Sequence, residues 1–191
     1  MGSAAPGIWH RLVAAFAAIQ ARRDAATALR QRGEAIAAMF EGRDWHRAPG
    51  ATFRAIECLR SVAPFALPDS YVSFLSFSNG GGGPLAVQPC NLELDSAEEV
   101  ASTHLEGTFR EDYPGLFAIG GNGGCEIVAF DLRGSEPYPL VYFHMCGGGL
   151  ESVEPIAPTF DAALELIGVK REDEEFQHRL QEHLARLYPS H

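Results

Sequence analysis

The sequence predicts an α+β protein: a mixed, largely antiparallel sheet with helices packed against it, plus N- and C-terminal helical extensions. Three observations predict it. The first forty residues place apolar side chains at helical spacing. Two apolar runs, 116–120 and 126–132, flank Gly121-Asn122-Gly123-Gly124, where Asn-Gly favours a tight hairpin. Helix-start signals at Ser96 and Thr159 each follow a short strand-like run, so the period switches between 2 and 3.6 along one chain.

Taken in order, Ile8, Leu12, Phe16 and Ile19 form one stripe of the first helix, and Leu29, Ile36, Met39 and Phe40 continue it past several alanines, with Gly33 as a candidate break. Residues 42–50 have loop composition and suggest a boundary. The expected organisation is a helical arm over 1–50, a domain over 51–168 and a terminal helix over 169–191. Thr52 can cap a helix carrying Phe53, Ile56, Cys58 and Leu59, which Pro64 ends. Pro68 suits the first turn of the next helix, Asp69 complements its dipole, and Tyr71, Val72, Phe74, Leu75 and Phe77 give it a wide apolar face until Asn79-Gly80 stops it.

Short strands are expected at 85–87 and 92–94. Ser96 with Glu99 then makes a capping box for a helix to about Leu105. The hairpin 116–132 follows, then strands at 140–144 and, on an edge that Pro155 permits, 153–156. Thr159 caps a helix bearing Phe160, Ala163, Leu164 and Ile167, closed by Gly168. Phe176, Leu180, Leu184, Leu187 and Tyr188 lie near helical spacing on a charged last helix.

The chain, at 191 residues, is long enough to bury one core. The apolar run 12–19 is too short to span a bilayer, and its spacing favours an amphipathic helix over an export signal, so the expected location is cytoplasmic. Pro6 breaks the myristoylation pattern. Cys58, Cys90, Cys125 and Cys146 form no C-x-x-C pair and are expected to be buried free thiols.

Charge is segregated. Residues 1–60 hold nine arginines and five acids, a net of +4, whereas residues 61–169 hold only Arg110 and Arg133 against fifteen acids, a net of −13. Such a segment repels nucleic acid and anionic membrane and attracts a basic protein surface. Glu93, Asp95, Glu98, Glu99, Glu106, Glu111 and Asp112 are the candidate partner-binding residues.

Four ordered segments resemble the SUKH superfamily, the Smi/Knr cell-wall-regulator and toxin-immunity group: Leu67 to Leu75 running into Asn79-Gly80-Gly81, then Phe117 to Gly120, then Cys125 to Asp131, then Val141-Tyr142-Phe143. Thr159-Phe160-Asp161 is similar to the start of the family's last element, so the likeness covers roughly residues 51 to 168. The resemblance implies helices on a mixed sheet and a protein-binding role, in bacteria commonly the neutralising of secreted nuclease or deaminase toxin domains and in yeast a part in cell-wall signalling. The acidic middle points to a cationic protein partner, and no catalytic residue and no cofactor are expected. The extensions outside the likeness could dimerise or clamp, which makes a scaffold acting through terminal helices the alternative.

Other chemistry is weaker. The runs Gly80–Gly83 and Gly120–Gly124 lack the Gly-Lys-Ser/Thr continuation of a phosphate loop. His144 and Cys146 would need Cys90, Cys125 or His104 to complete a zinc site. A nucleophile pair would combine Cys125 or Cys146 with His144 or His104, yet Glu126 beside Cys125 disfavours its thiolate.

Overall fold

A computed structural model describes residues 8–170 together with His178 and Glu182. The expected last helix, with Phe176, Leu180, Leu184, Leu187 and Tyr188, lies outside the described residues. Among the described residues seven strands run β1 (His46–Arg47), β2 (Gly81–Pro84), β3 (Asn91–Leu94), β4 (Leu116–Gly121), β5 (Glu126–Asp131), β6 (Leu140–His144) and β7 (Glu154–Ala157). They stand in the sheet in chain order, each antiparallel to the next, so the sheet is a meander built from local pairings. The helices are α1 (Ile8–Met39), α2 (Phe53–Val62), α3 (Asp69–Phe77), α4 (Ala97–Glu106), α5 (Thr108–Asp112) and α6 (Phe160–Leu164). The α+β class holds.

Local signals set most element ends. Thr52 accepts from the Ala55 amide, Thr159 accepts from the Ala162 amide, and both halves of the Ser96–Glu99 capping box are present. Each such cap is worth about 1 kcal/mol, because it satisfies donors the first helical turn cannot satisfy itself. Pro68 sits one step earlier than expected: its extended ψ of 136° makes it the residue that precedes α3 rather than the first one inside.

One sheet face carries Phe117, Ile119, Val128, Phe130 and Leu140 into a core shared with Leu59 of α2, Tyr71 and Phe74 of α3, Val100 of α4 and Phe160 of α6. Fully burying each such side chain contributes about 1.5–3 kcal/mol. On the opposite face Leu116, Ala129, Val141 and Phe143 are covered by Phe109 and Tyr113 from the α5 segment and by Leu150 and Val153. Neither α5 nor β1 was expected: α5 is a single five-residue turn with no periodic pattern to read, and two residues of strand carry no alternation.

Gly33 does not break α1, which runs straight through it for 32 residues. The reason is tertiary. A Cβ at Gly33 would stand 2.9 Å from the carbonyl carbon and oxygen of Ser76 in α3, so the missing side chain lets the two helices touch backbone to backbone. Leu29, Ile36 and Phe40 on the same side are buried, and Phe40 meets the rings of Phe74 and Phe77 at 5.6 and 5.2 Å.

The strand expected at 85–87 is displaced. The paired residues are Gly81–Pro84, whereas Leu85 makes an isolated bridge to Ile167 and the Ala86 amide donates to Leu166. Bare glycine backbone fits between β3 and the chain at 44–46, where Cβ atoms at Gly81 and Gly83 would lie 2.5 and 2.4 Å from the carbonyl oxygens of His46 and Asp44. The cysteines also depart from expectation: no disulfide joins any of the four, but Cys58, Cys125 and Cys146 are exposed and Cys90 is half-buried.

Candidate protein-binding surface

Alternation along β3 buries Leu92 and Leu94 and turns Asn91 and Glu93 outward. Two residues later the chain enters α4. There the Glu99 carboxylate accepts from the Ser96 amide at 2.9 Å and from the Ser96 hydroxyl at 2.7 Å, which fixes it at the first turn and holds its pKa below the usual carboxylate value. Asn79, just past α3, braces the same turn: its amide donates to Glu98 at 2.8 Å and its oxygen accepts from the Ala97 amide at 2.8 Å. Asp95 lies half-buried between Glu93 and Glu99. Burial pushes its pKa up, and the neighbouring Glu99 and Glu93 carboxylates push it further the same way.

The strand-to-helix turn therefore sets Glu93 and Glu99 as like charges about Asp95, an acidic triad flanked by Glu98. Glu106 is eight residues further along α4, about 12 Å up the axis. It accepts from Ser102 at 3.3 Å, while Glu111 and Asp112 are exposed on α5 beyond the Gly107 turn. Of the seven expected acids, Glu93 and Glu99 act on Asp95, while Glu106 ends α4 and Glu111 and Asp112 lie on α5.

Beside the triad runs a groove of about 700 Å³. Gly81–Gly83, Glu93, Asp95, Asp44, His46 and Lys170 are among the residues that line it, and Lys170 pairs with Asp44 at 3.0 Å. Asp44, His46 and Lys170 were not foreseen as site residues. They reach the groove because β1 pairs with β2 and because the Asp44 amide donates to the Gly168 carbonyl, contacts that no local pattern announces.

An acid with a raised pKa holds its proton more tightly in the folded than in the unfolded chain. Its ionisation therefore removes stability as pH climbs from the unfolded value, about 3.9, through the raised folded value. Asp95→Asn is expected to raise stability at pH 7 by about 0.5–1 kcal/mol. The gain should shrink toward zero once the pH falls below about 4, where Asp95 is itself neutral. Urea midpoints at pH 7 and pH 3.5 check this, and a variant weaker than wild type at pH 7 would refute it.

His104 is buried, stacked on Phe117 with centroids 3.8 Å apart, and its Nε2 donates to the Ala118 carbonyl at 3.0 Å; desolvation pushes its pKa down, and the ring serves as a core residue. His144 Nδ1 faces Glu126 at 3.5 Å. Among the described residues no three His, Cys, Asp or Glu side chains gather to hold a metal. The amides of Gly81 and Gly82 lie in a strand paired on both sides, and Asn122 Oδ1 accepts from the amides of Gly124 and Glu126, so neither glycine run offers a phosphate cradle. No helix among the described residues is long and apolar enough to cross a membrane.

A search of the curated proteins finds no match to this chain. The family model of the SMI1 / KNR4 family (SUKH-1) matches residues 50–166, more than half the chain, taking in α2 to α6, β2 to β7 and the whole acidic triad. With that match laid over the antiparallel meander and its packed helices, this chain belongs to the SMI1 / KNR4 family.

Proposed function

We propose that this protein is a binding module that neutralises a cationic protein, as an immunity-type inhibitor does, without transforming a substrate. The face around Glu93, Asp95 and Glu99 would cover the partner's basic groove. The observation that carries this reading is the repulsion inside the triad: burial and two neighbouring carboxylates disfavour the charge on Asp95, so an approaching cation relieves a cost already present in the free fold. Glu98 flanks the triad, and Glu106, Glu111 and Asp112 extend negative potential toward α5. The net of −13 over residues 61–169 supports a basic partner and disfavours nucleic acid and anionic membrane. Family membership supports a toxin domain of nuclease or deaminase class, met in the cytoplasm. Capture by the full chain at low and high salt tests the reading. The expected result is retention of a basic nuclease-like or deaminase-like domain at low salt, release as exposed charges are screened within about 10 Å at 0.1 M, and relief of that domain's toxicity on co-expression. Capture that ignores salt would reject it.

A second reading, a scaffold that pairs with a second copy through its terminal helices, draws on the first half of α1. Trp9 and Phe16 are 80% and 78% exposed, with Leu12, Val13 and Ile19 beside them, and Leu29 is the first buried apolar side chain among the helix residues whose burial is described. Under this reading, a Trp9→Gln/Phe16→Gln variant loses self-association while the triad variants keep it.

A further inference from the structure

The two thiols that the acidic face does not use lie together. Cys125 closes the loop from β4 to β5, Cys146 opens the loop after β6, and their sulfurs are 3.1 Å apart although 21 residues separate them. The ladder explains the meeting: Glu126 pairs with His144, and the Met145 amide donates to the Cys125 carbonyl at 2.9 Å, so the two strand ends deliver one cysteine each to the same rim. Both side chains are exposed and therefore open to a soluble reagent.

We infer that Cys125 and Cys146 form a redox-active dithiol that exchanges with small-molecule disulfides to give a reversible intramolecular disulfide. Closure to a bond of about 2.05 Å requires the sulfurs to approach by roughly 1 Å from 3.1 Å. The flanking backbone can supply that movement. Gly123 and Gly124 precede Cys125, Gly147 to Gly149 follow Cys146, and Cβ atoms at Gly147 and Gly149 would meet nothing within 4 Å.

The Cys146 thiolate attacks one sulfur of a disulfide such as oxidised glutathione, forming a mixed disulfide and releasing one glutathione thiolate. Cys125 then loses its proton and attacks the Cys146 sulfur, releasing the second glutathione. Two thiols are oxidised, one external disulfide is reduced, and the two protons end on the two glutathione molecules. The order follows from the surroundings of Cys125: the adjacent Cys146 sulfur above all, then slight burial and the Glu126 carboxylate, hold its thiol above the ordinary value, which suits it to the second step. Closure would also reach the acidic face, because the Glu93 carboxylate lies against Gly123, where a Cβ would stand 2.9 Å from its Oε1.

The test uses the full-length native protein and oxidised glutathione, followed by alkylation and mass mapping, with exposed Cys58 as internal reference. Wild type is expected to lose the Cys125 and Cys146 thiols together, yield a crosslinked peptide pair and retain no glutathione at either position. Cys125→Ser is expected to trap one glutathione on Cys146, and Cys146→Ser to trap one on Cys125, with no crosslinked peptide pair in either variant. Dithiothreitol should restore both thiols. Stable glutathione on Cys146 in the wild type, a crosslink between any other pair, or thiols that stay reduced while Cys58 reacts would each overturn the inference. Should one serine variant melt below wild type, the wild-type crosslink and its reversal still decide the matter.

Discussion

Valine in place of Gly33 or Gly50 is expected to cost about 3 kcal/mol, the upper part of the overpacking range, and to lower Tm by roughly 6–12 °C for a chain of this size. Both glycines approach the same atoms from different elements. A Cβ at Gly33 would stand 2.9 Å from the Ser76 carbonyl oxygen, and one at Gly50 would stand 2.0 Å from it. The obstacle is backbone in both cases, so no rotamer change can clear it. Around this point the Ala51 amide donates to Leu75 at 2.7 Å, the Asn79 amide donates to Pro49 at 3.1 Å, and the Ser78 hydroxyl accepts from the Ala48 amide at 3.1 Å. Pushing the 48–51 segment away would break these bonds together. Helix propensity alone predicts the opposite sign at Gly33, where a non-glycine residue should gain up to about 1 kcal/mol. Gly134→Ala is the control: a Cβ there meets nothing within 4 Å, so little change is expected. Thermal melts of the variants check the set, and a Gly33→Val protein that melts with the wild type would show that α1 does not pack on α3 in this way.

The second large effect concerns association. A Glu93→Lys/Asp95→Asn/Glu98→Lys variant is expected to bind its basic partner about 10- to 100-fold more slowly at low salt, with the difference fading as salt rises. Glu99 is left in place because its carboxylate completes the α4 capping box, and its loss would mix a stability cost into the measurement. The Tm should move by no more than a few degrees, because the gain expected from Asp95→Asn is set against the loss of the Asn79–Glu98 hydrogen bond. Reversal of Glu136 and Glu151, exposed acids outside the seven candidates, separates a local from a global charge effect. Stopped-flow association rates across a salt series give the answer. Equal slowing by both variants would mean that net charge, rather than this face, steers the encounter.

The elements legible in the sequence are those whose cause lies within a few residues. Thr52, Ser96 and Thr159 satisfy amides three positions ahead, and the Gly-Asn-Gly-Gly run joining β4 to β5 needs only its own backbone freedom to turn. The strand at Gly81–Pro84 is not legible in the sequence because a run of glycine carries no hydropathy alternation; β2 is a strand only because β1 and β3 accept it. Of the candidate site, the acidity and exposure were readable, while the selection of Glu93, Asp95 and Glu99 as the coupled group was not.

The sequence by itself determined the α+β class, the helix starts, the hairpin, the family resemblance and the separation of a basic first third from an acidic middle. Those features follow from short-range hydrogen bonding and from summed charge, which need no coordinates. Only the tertiary structure decided that Gly33 joins two helices instead of dividing one, that α5 lids the second sheet face, that the triad borders a glycine-lined groove, and that Cys125 meets Cys146. Each of these depends on backbone segments far apart in the chain being held within a few ångströms, and that proximity is set by the packing of the whole sheet and its helices.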